Sequence, residues 1–190
     1  MTQDRDAIDI ELMRCLAEGD DLALNRLMDA WSQPLIAYLI RLTGHEASAQ
    51  DLAQESFVRV YRHRLRFRSA QKFSTWLFAI ATNLARNHAR WRGRHPEDSL
   101  DHQNLSKLPV SAKEEPPDQQ AVASERVAAV QKAIAELPQD MREALILATW
   151  HGMSHAEISR VQNSSEKAVE LRLYRARKEL RDLLSEHLKA

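Results

Sequence analysis

Glycine placement is the feature that most restricts what this chain can fold into. The 190 residues include four glycines, Gly19, Gly44, Gly93 and Gly152, and each follows an apolar-periodic segment. Glycine at such a position supplies the left-handed backbone that commonly closes a helix. No sustained apolar–polar alternation and no Asn-Gly or Asp-Gly dipeptide, the signals of strands and hairpins, occurs in the sequence. We therefore predict an all-α fold.

Helical periodicity divides the chain into two parts. The segment 96–121 has four prolines among Ser, Asp and Glu and keeps no apolar period, which is typical of a flexible linker. We predict helical domains at 1–95 and 122–190. Pro34 is expected to break or kink a helix, because a proline inside a helix removes a backbone donor. The predicted helices are 9–18, 21–31, 34–43, 48–66, 74–92, 122–137, 138–151, 154–162 and one that begins near 165.

A block without acidic residues runs from Arg59 to Arg94, although the whole chain has 27 basic and 27 acidic residues. The block contains ten Lys and Arg residues and six of the eleven aromatic residues. Cations neutralise phosphates and aromatic faces stack on unpaired bases, so a nucleic-acid surface is one interpretation. A solvated basic helix pair with aromatic residues in its core is the other.

Residues 154–177 have the spacing of a helix-turn-helix. Ser154 to Glu157 is a capping box that opens a short helix, and 163–165 forms a polar turn before a long basic helix. A stripe faces inward from the long helix: Val169, Leu173, Ala176, Leu180 and Leu183. In this motif the start of the second helix reads the major groove, whereas a helical hairpin with a charged face is the alternative.

Several classes of protein are disfavoured. Cys15 is the only cysteine, the polar start of the chain argues against a signal peptide, and the run 73–85 is too short to span a bilayer. We expect a soluble, intracellular (cytoplasmic) protein without membrane insertion. We found no Gly-rich phosphate loop, nucleophile elbow or metal-ligand cluster, and His151 and His155 flank a helix break. We therefore predict neither catalysis nor a cofactor.

Two motifs in the first half are similar to a known family. DLAQESFVRVYR at 51–62 and FSTWLFAIATNLA at 73–85 resemble region 2 of bacterial sigma factors. In the second half, Leu-Pro at 137–138, Gly-Met-Ser at 152–154 and RLYRAR at 172–177 resemble region 4. Regions 2 and 4 with only a short linker are the plan of the extracytoplasmic-function (ECF) group. The resemblance implies a promoter-specificity subunit that binds core RNA polymerase and promoter DNA and helps to open the −10 element.

The resemblance also implies roles for individual residues. The third helix is predicted to turn Ala53, Phe57, Val60, Arg64 and Leu65 inward. Its outward face would bind the clamp helices of the polymerase β′ subunit: Asp51, Gln54, Glu55, Val58 and Arg62. The fourth helix is predicted to bury a core stripe of Phe73, Leu77, Ile80, Leu84, His88 and Trp91. A flanking face and the preceding loop would contact the −10 element: Arg68, Lys72, Asn83, Arg86, Asn87, Arg90 and Arg94.

For the −35 element the resemblance implies a surface on the last helix and its cap: Ser165, Lys167, Glu170, Leu171, Tyr174, Arg175 and Lys178. Ala168, Glu170 and Leu171 replace the usual Thr, Lys and Ser. The changes at Glu170 and Leu171 leave the DNA-binding role in place, but the exact −35 sequence does not follow from the resemblance. Asn163 replaces the usual turn glycine, and Asn87 replaces an aspartate. Asparagine tolerates left-handed backbone, so the turn is retained.

Further partners follow from the resemblance alone. They are the polymerase β flap and an anti-sigma factor linked to a stress response. The alternatives are an autonomous helix-turn-helix regulator, which would bind duplex DNA without polymerase, and an interaction module with no DNA role. A small recombinase or nuclease with a helix-turn-helix tail would need a catalytic Ser, Tyr or carboxylate cluster, which the sequence does not show.

Overall fold

The computed structural model describes residues 2–95 and 117–187, with side chains over 4–95 and 127–185. All regular structure in these ranges is helical, which confirms the predicted all-α class. A 3₁₀ turn at Arg64–Arg66 follows the third helix. The α-helices are α1 Thr2–Ala17, α2 Leu22–Thr43, α3 Glu46–Arg62, α4 Phe73–Arg94, α5 Pro117–Glu136, α6 Gln139–Trp150, α7 His155–Gln162 and α8 Glu166–His187. No helix in the described part of the chain is long and apolar enough to cross a membrane.

Three of the four glycines close helices as predicted. Gly44 has a φ of 72°, and its N–H donates to the Ile40 carbonyl at 2.8 Å. Gly19 and Gly152 also have positive φ. Gly93 lies inside α4. The helix was predicted to end at Arg92 and ends two residues later, at Arg94.

Helix α2 continues through Pro34, so of the predicted break or kink the break does not occur. A proline costs about 3 kcal/mol in a helix interior. Leu27 lies before Pro34, Leu35 and Leu39 lie after it, and all three are fully buried in the same core. Burying a leucine side chain contributes about 1.5–3 kcal/mol, so these contacts offset the cost of an unbroken helix.

Helix α3 starts two residues before the predicted Ser48. His45 is its N-cap, and the imidazole Nδ1 accepts the Ser48 backbone N–H at 3.2 Å. Histidine is not among the usual capping residues, so the sequence pattern pointed to Ser48 instead. The helix ends at Arg62 rather than at 66, and the chain then turns at Arg64–Arg66.

The first half packs α1 to α4 around an aromatic core. Phe78 is fully buried, with ring centroids 6.3 Å from Trp31 and 5.1 Å from Tyr38. The Tyr38 and Thr82 hydroxyls share a hydrogen bond of 2.7 Å between buried side chains. Trp31 donates to Asp9 at 2.9 Å, which ties α2 to α1.

The second half packs α5 to α8. Ile134, Leu137, Leu145 and Ala176 form a small cluster, which joins α5 and α6 to α8. Helix α5 begins at Pro117, inside the segment predicted as a linker, and residues 96–116 lie outside the described residues. The domain boundaries at 95 and 122 therefore remain predictions.

The two halves are in direct contact. One buried apolar cluster continues from the first half into the second, where it includes Ile146, Leu147 and Ile158. Helix α4 packs on α7 and α2 packs on α6. The first helix of the helix-turn-helix thus lies against α4, which carries part of the basic block.

Candidate protein and nucleic-acid interfaces

Helix α3 presents a mixed polar face that no described helix covers. Four of its five predicted polymerase-binding residues are exposed, namely Asp51, Gln54, Val58 and Arg62. The fifth, Glu55, is half-exposed and accepts a 2.9 Å hydrogen bond from Arg59 Nε. Val58 is an apolar side chain with 41% exposure between these charges. A helix face of this composition is suited to a protein partner, because apolar contact and charge selection occur together.

The inward face of α3 agrees with the prediction only as far as the helix itself extends. Ala53, Phe57 and Val60 are buried, but Leu65 is 76% exposed. Since α3 ends at Arg62, the helical period no longer decides where Leu65 points. Arg64 is half-buried and lies 4.4 Å from the centroid of the Tyr61 ring.

The core face of α4 is rotated from the predicted stripe. Phe73, Leu77 and Leu84 are buried as expected, whereas Ile80 and His88 are only half-buried. Trp91 is 44% exposed and stacks on His95 with ring centroids 4.9 Å apart. Instead, the core takes the neighbouring positions Phe78, Ala81 and Ala85. Two of these are alanines, which allow close helix approach but give a weak periodic signal.

Aromatic residues around the basic loop are mostly core. Phe73 is fully buried, and Trp76 is half-buried with its ring centroid 5.3 Å from Phe67. Because Phe73 is fully buried, its ring is not available to stack on an unpaired base. Arg68, in the loop between them, is exposed.

Four of the predicted −10 residues form an exposed strip along the outer side of α4: Asn83, Asn87, Arg90 and Arg94. Arg90 Nη2 donates to Asn87 Oδ1 at 2.5 Å, and Arg94 Nε donates to the Arg90 carbonyl at 3.3 Å. Among the described residues, Asn87, Arg90 and Arg94 line an open depression. Amides and guanidinium groups on one accessible face are able to contact both phosphates and base edges.

The two remaining predicted −10 cations are engaged by acidic residues. Arg86 donates to both carboxylate oxygens of Glu143 on α6, at 2.9 Å from Nε and 2.5 Å from Nη2. Lys72 Nζ lies 3.1 Å from Asp6 on α1 and 3.1 Å from Glu157 on α7. These hydrogen bonds raise the pKa of Lys72, which stays charged.

The helix-turn-helix has the local geometry that its sequence predicts. Ser154 Oγ accepts the Glu157 N–H at 3.3 Å, and Glu157 accepts the Ser154 N–H at 2.8 Å, which completes the capping box. Asn163 has a φ of 51° and closes α7 in left-handed backbone. Ser165 Oγ accepts the Ala168 N–H at 3.2 Å and caps α8.

Helix α8 separates a buried and an exposed face, also as predicted. Val169, Leu173 and Ala176 are buried, whereas Leu180 and Leu183, the last two residues of the predicted stripe, are half-buried. The residues predicted to meet the −35 element are all exposed: Ser165, Lys167, Glu170, Leu171, Tyr174, Arg175 and Lys178. The side chains at the start of this helix are therefore free to enter a groove, as the second helix of the motif does.

A polar network behind α8 was missed by sequence reasoning. Arg172 donates to Asp140 Oδ2 at 2.9 Å, to Gln162 Oε1 at 3.0 Å and to Ser164 Oγ at 2.9 Å. It therefore holds α8 to both α6 and the turn. Arg172 lies next to the buried stripe of α8. A positive charge at that position was the sequence feature that could have indicated a buried polar network.

Glu143 is the centre of this network. Its carboxylate is fully buried and accepts from Arg86, from Gln139 Nε2 at 3.2 Å and from Gln162 Nε2 at 3.0 Å. A buried charge requires such pairing, because desolvation otherwise costs several kcal/mol. The bond to Glu143 raises the pKa of Arg86.

Histidine and tyrosine side chains fill the seam between the halves. The His151 ring lies 4.5 Å from Phe78 and 5.8 Å from Tyr38, measured between centroids. Burial, with the nearby Arg41 charge, lowers the pKa of His151 to about 4, so the ring is neutral at neutral pH. Burial above all raises the pKa of Tyr38.

Family models match both halves of the chain in order. The model for Sigma-70 region 2 matches residues 27–95, and the model for Sigma-70, region 4 matches residues 128–180. The first match contains the α3 and α4 faces, and the second contains the helix-turn-helix.

Related proteins cover nearly all of the chain. It is 33% identical to the RNA polymerase sigma-H factor of Pseudomonas aeruginosa, over 98% of this chain and 99% of that protein. It is 31% identical to the ECF RNA polymerase sigma-E factor of Haemophilus influenzae, over 89% of this chain and 91% of that protein.

Solved structures agree in fold. CnrH, in complex with the cytosolic domain of CnrY, is 25% identical and superposes with a TM-score of 0.71 over 94% of this chain and 98% of that one. The sigma factor RpoE of Bartonella quintana, in complex with the anti-sigma factor NepR, is 23% identical, with a TM-score of 0.69 over 85% and 96% of the two chains. With both regions matched and relatives aligned along their whole length, the chain belongs to the sigma-70 family of bacterial sigma factors, in its extracytoplasmic-function group.

Proposed function

We propose that this protein acts through three separate faces, one for polymerase and two for promoter DNA. As an ECF sigma factor it binds core RNA polymerase and directs it to promoters. The observation that supports the division of roles is that the faces on α3, α4 and α8 are exposed on different helices. Sigma factors are non-catalytic regulators, so we infer that the protein works by binding alone, in the bacterial cytoplasm where polymerase is located.

The polymerase face is proposed on α3, at Asp51, Gln54, Glu55, Val58 and Arg62. These side chains are exposed or half-exposed, and Val58 supplies apolar contact among charges. The β′ clamp helices are the partner we assign to this face. The β flap is assigned to the second half.

The −10 face is proposed on α4 and the loop before it. Asn83, Asn87, Arg90 and Arg94 form one accessible strip, and Arg68 lies in the loop. Opening a base pair and extruding a base costs a few kcal/mol, which base contacts and phosphate neutralisation offset. Lys72 and Arg86 would join this face only after leaving their acidic partners.

The −35 face is proposed at the start of α8. Glu170 is placed to accept from a cytosine amine and Leu171 to pack on a thymine methyl group. Ser165, Lys167, Tyr174, Arg175 and Lys178 would hold the DNA backbone and fix the register of the helix. The departures at Glu170 and Leu171 predict a −35 sequence different from that of relatives with Lys and Ser.

An anti-sigma factor is the proposed regulatory partner. The solved CnrH structure contains the cytosolic domain of CnrY, and the fold of CnrH is shared by this chain along most of its length. A bound inhibitor and core polymerase would compete for the same sigma factor.

Run-off transcription tests the proposal. Core polymerase is supplied with promoter fragments from the source genome, with and without the protein, and a Glu55→Lys variant serves as the matched negative control. Transcripts that start at defined sites only with the wild-type protein are expected. Duplex DNA binding by the protein alone, with no transcript from any fragment, would instead support an autonomous regulator.

A further inference from the structure

Trp91 is the aromatic residue of the basic block that the fold leaves exposed. Of the six aromatic residues between Arg59 and Arg94, two are buried and three are half-buried, whereas Trp91 is 44% exposed. A single exposed apolar side chain is common on protein surfaces. The surroundings of the indole therefore decide whether it has a binding role.

The Trp91 indole is held against the His95 imidazole. The two rings are stacked, with centroids 4.9 Å apart and an angle of 22° between their planes. His95 Nδ1 lies 3.0 Å from the Trp91 carbonyl oxygen, and the His95 backbone N–H donates to the same oxygen at 3.1 Å. Because a carbonyl oxygen only accepts, Nδ1 carries the proton of the first bond, and the two bonds hold the imidazole over the indole. The indole is thus oriented before any ligand binds, and the rest of its surface is open to solvent.

Cations and an amide lie beside this ring pair. Arg90 is adjacent to Trp91 in the chain, and Asn87 and Arg94 lie one helical turn before and after it. These three residues line the open depression on the outer side of α4. Arg90 donates to Asn87 and Arg94 donates to the Arg90 carbonyl through one N–H each, and a guanidinium has five. Both side chains are exposed, so each can also donate to a phosphate beside the ring.

The charge around the ring selects the kind of ligand. No acidic residue occurs between Arg59 and Arg94. A cationic surface with an accessible indole is complementary to an anionic partner that carries flat apolar rings. Single-stranded nucleic acid has both properties in every nucleotide. A base inside a duplex hides its faces within the stack, so the complementary ligand is an unpaired base.

We propose that Trp91 and His95 form a stacking platform for an unpaired DNA base, with Arg90 and Arg94 binding the phosphates beside it. The platform extends the −10 face to the end of α4. It rests on the proposed function for the source of the base, which is the strand that opens at the promoter. Stacking at this position stabilises the open strand without reading its sequence, because every base has an aromatic face.

Tryptophan fluorescence of the full-length protein tests the platform without polymerase or a known promoter. The probe is a single strand of about 20 thymidines, long enough to span a single-strand site, titrated at low salt. A base stacked on an indole quenches its emission. Trp91→Phe removes the emitter but keeps an aromatic ring, and Trp150→Phe is the matched control, because Trp150 is 43% exposed.

We expect quenching in the wild type and in Trp150→Phe, and almost none in Trp91→Phe. Wild-type emission that does not change over the titration would overturn the platform. Quenching of equal size in Trp91→Phe would overturn it as well, because another tryptophan would then be the one that meets the base.

Affinity for the same strand separates stacking from simple apolar contact. Trp91→Leu keeps an apolar side chain without an aromatic face and should weaken binding about tenfold, within the range typical of one stacked base. Trp91→Phe should lose less than about threefold. The helical circular dichroism of both variants should match the wild type. Equal affinities of the two variants would overturn stacking as the mode of contact.

Salt dependence separates the ring from the cations. Trp91→Leu should weaken binding by the same factor at every salt concentration, because it removes no phosphate contact. Arg90→Ala should lower the salt slope by about 0.7, the value for one phosphate contact on a single strand. A changed slope in Trp91→Leu would contradict this division of roles. Run-off transcription measures the sigma activity separately, so failure of the platform is distinguishable from failure of the proposed function.

Discussion

Replacing Arg172 with alanine should destabilise the helix-turn-helix although this side chain does not belong to the exposed face of α8. Arg172 holds Asp140, Gln162 and Ser164 with three hydrogen bonds of 2.9–3.0 Å. Gln162 is 5% exposed, so its Oε1 would lose its partner inside the protein. The network therefore supports the turn from behind rather than reading DNA.

The size of the effect follows from the burial of each partner. A buried acceptor left without a partner costs about 1–3 kcal/mol, and the bond to the Ser164 hydroxyl adds about 1 kcal/mol. The Asp140 side chain is 46% exposed. An ion pair with that degree of solvation contributes less than about 1 kcal/mol. We expect Arg172→Ala to lower the free energy of unfolding by about 2–4 kcal/mol.

Urea unfolding of the full-length protein measures this change, with Arg175→Ala as the matched control. Arg175 is exposed on the same helix. Its loss should change stability by less than about 0.5 kcal/mol. At about 2 kcal/mol per molar urea, the Arg172 variant should unfold at roughly 1–2 M less denaturant. Conversely, Arg175→Ala should weaken binding to −35 DNA. Equal unfolding midpoints for Arg172→Ala and wild type would refute the network's structural role.

Four further predictions concern the other faces and the cap. Glu55→Lys should weaken binding to core polymerase in a pull-down titration while the helical circular dichroism is unchanged; full affinity would show that the face is misplaced. Arg90→Ala should lower the salt slope of promoter binding by about one, and an unaltered slope would count against a phosphate contact. Ser154→Ala should cost about 1 kcal/mol by loss of the cap, measured by urea unfolding. Burial raises the pKa of Glu157, but its bonds to Ser154 and Lys72 outweigh that and hold the pKa below its ordinary 4.5. The stability that Glu157 contributes is therefore present above that value and is lost as the pH falls through the lower folded pKa, and Glu157→Gln should remove this acid dependence.

Features determined by neighbouring residues were predictable from the sequence. The capping box at Ser154, the left-handed Asn163 and the buried stripe of α8 depend on contacts within a few residues, so periodicity and turn chemistry place them correctly. The exposed face of α3 follows for the same reason.

Features determined by packing were not predictable. Pro34 remains in a continuous helix because the flanking leucines share one core, and Leu65 is exposed because α3 ends early. Trp91 reads as a core residue by its period, yet it is exposed and stacks on His95. In each case tertiary packing, or the early end of a helix, overrides the local pattern.

Long-range ion pairs escape sequence reasoning altogether. Arg86 and Glu143 are 57 positions apart, and each fits its own helix as an ordinary charged residue. The basic block therefore looked uniform in the sequence, whereas the structure divides it into an exposed strip and cations bound by acids.

Permanganate footprinting of promoter DNA tests the central claim most directly, because the reagent oxidises unstacked thymines. Promoter fragments are treated with core polymerase alone, with the sigma factor alone and with both. We predict reactive thymines around −10 only when both proteins are present, and a weaker signal with Arg90→Ala. A promoter that stays unreactive with both proteins, or that reacts with the protein alone, would contradict the assignment of this chain as a polymerase-dependent specificity subunit.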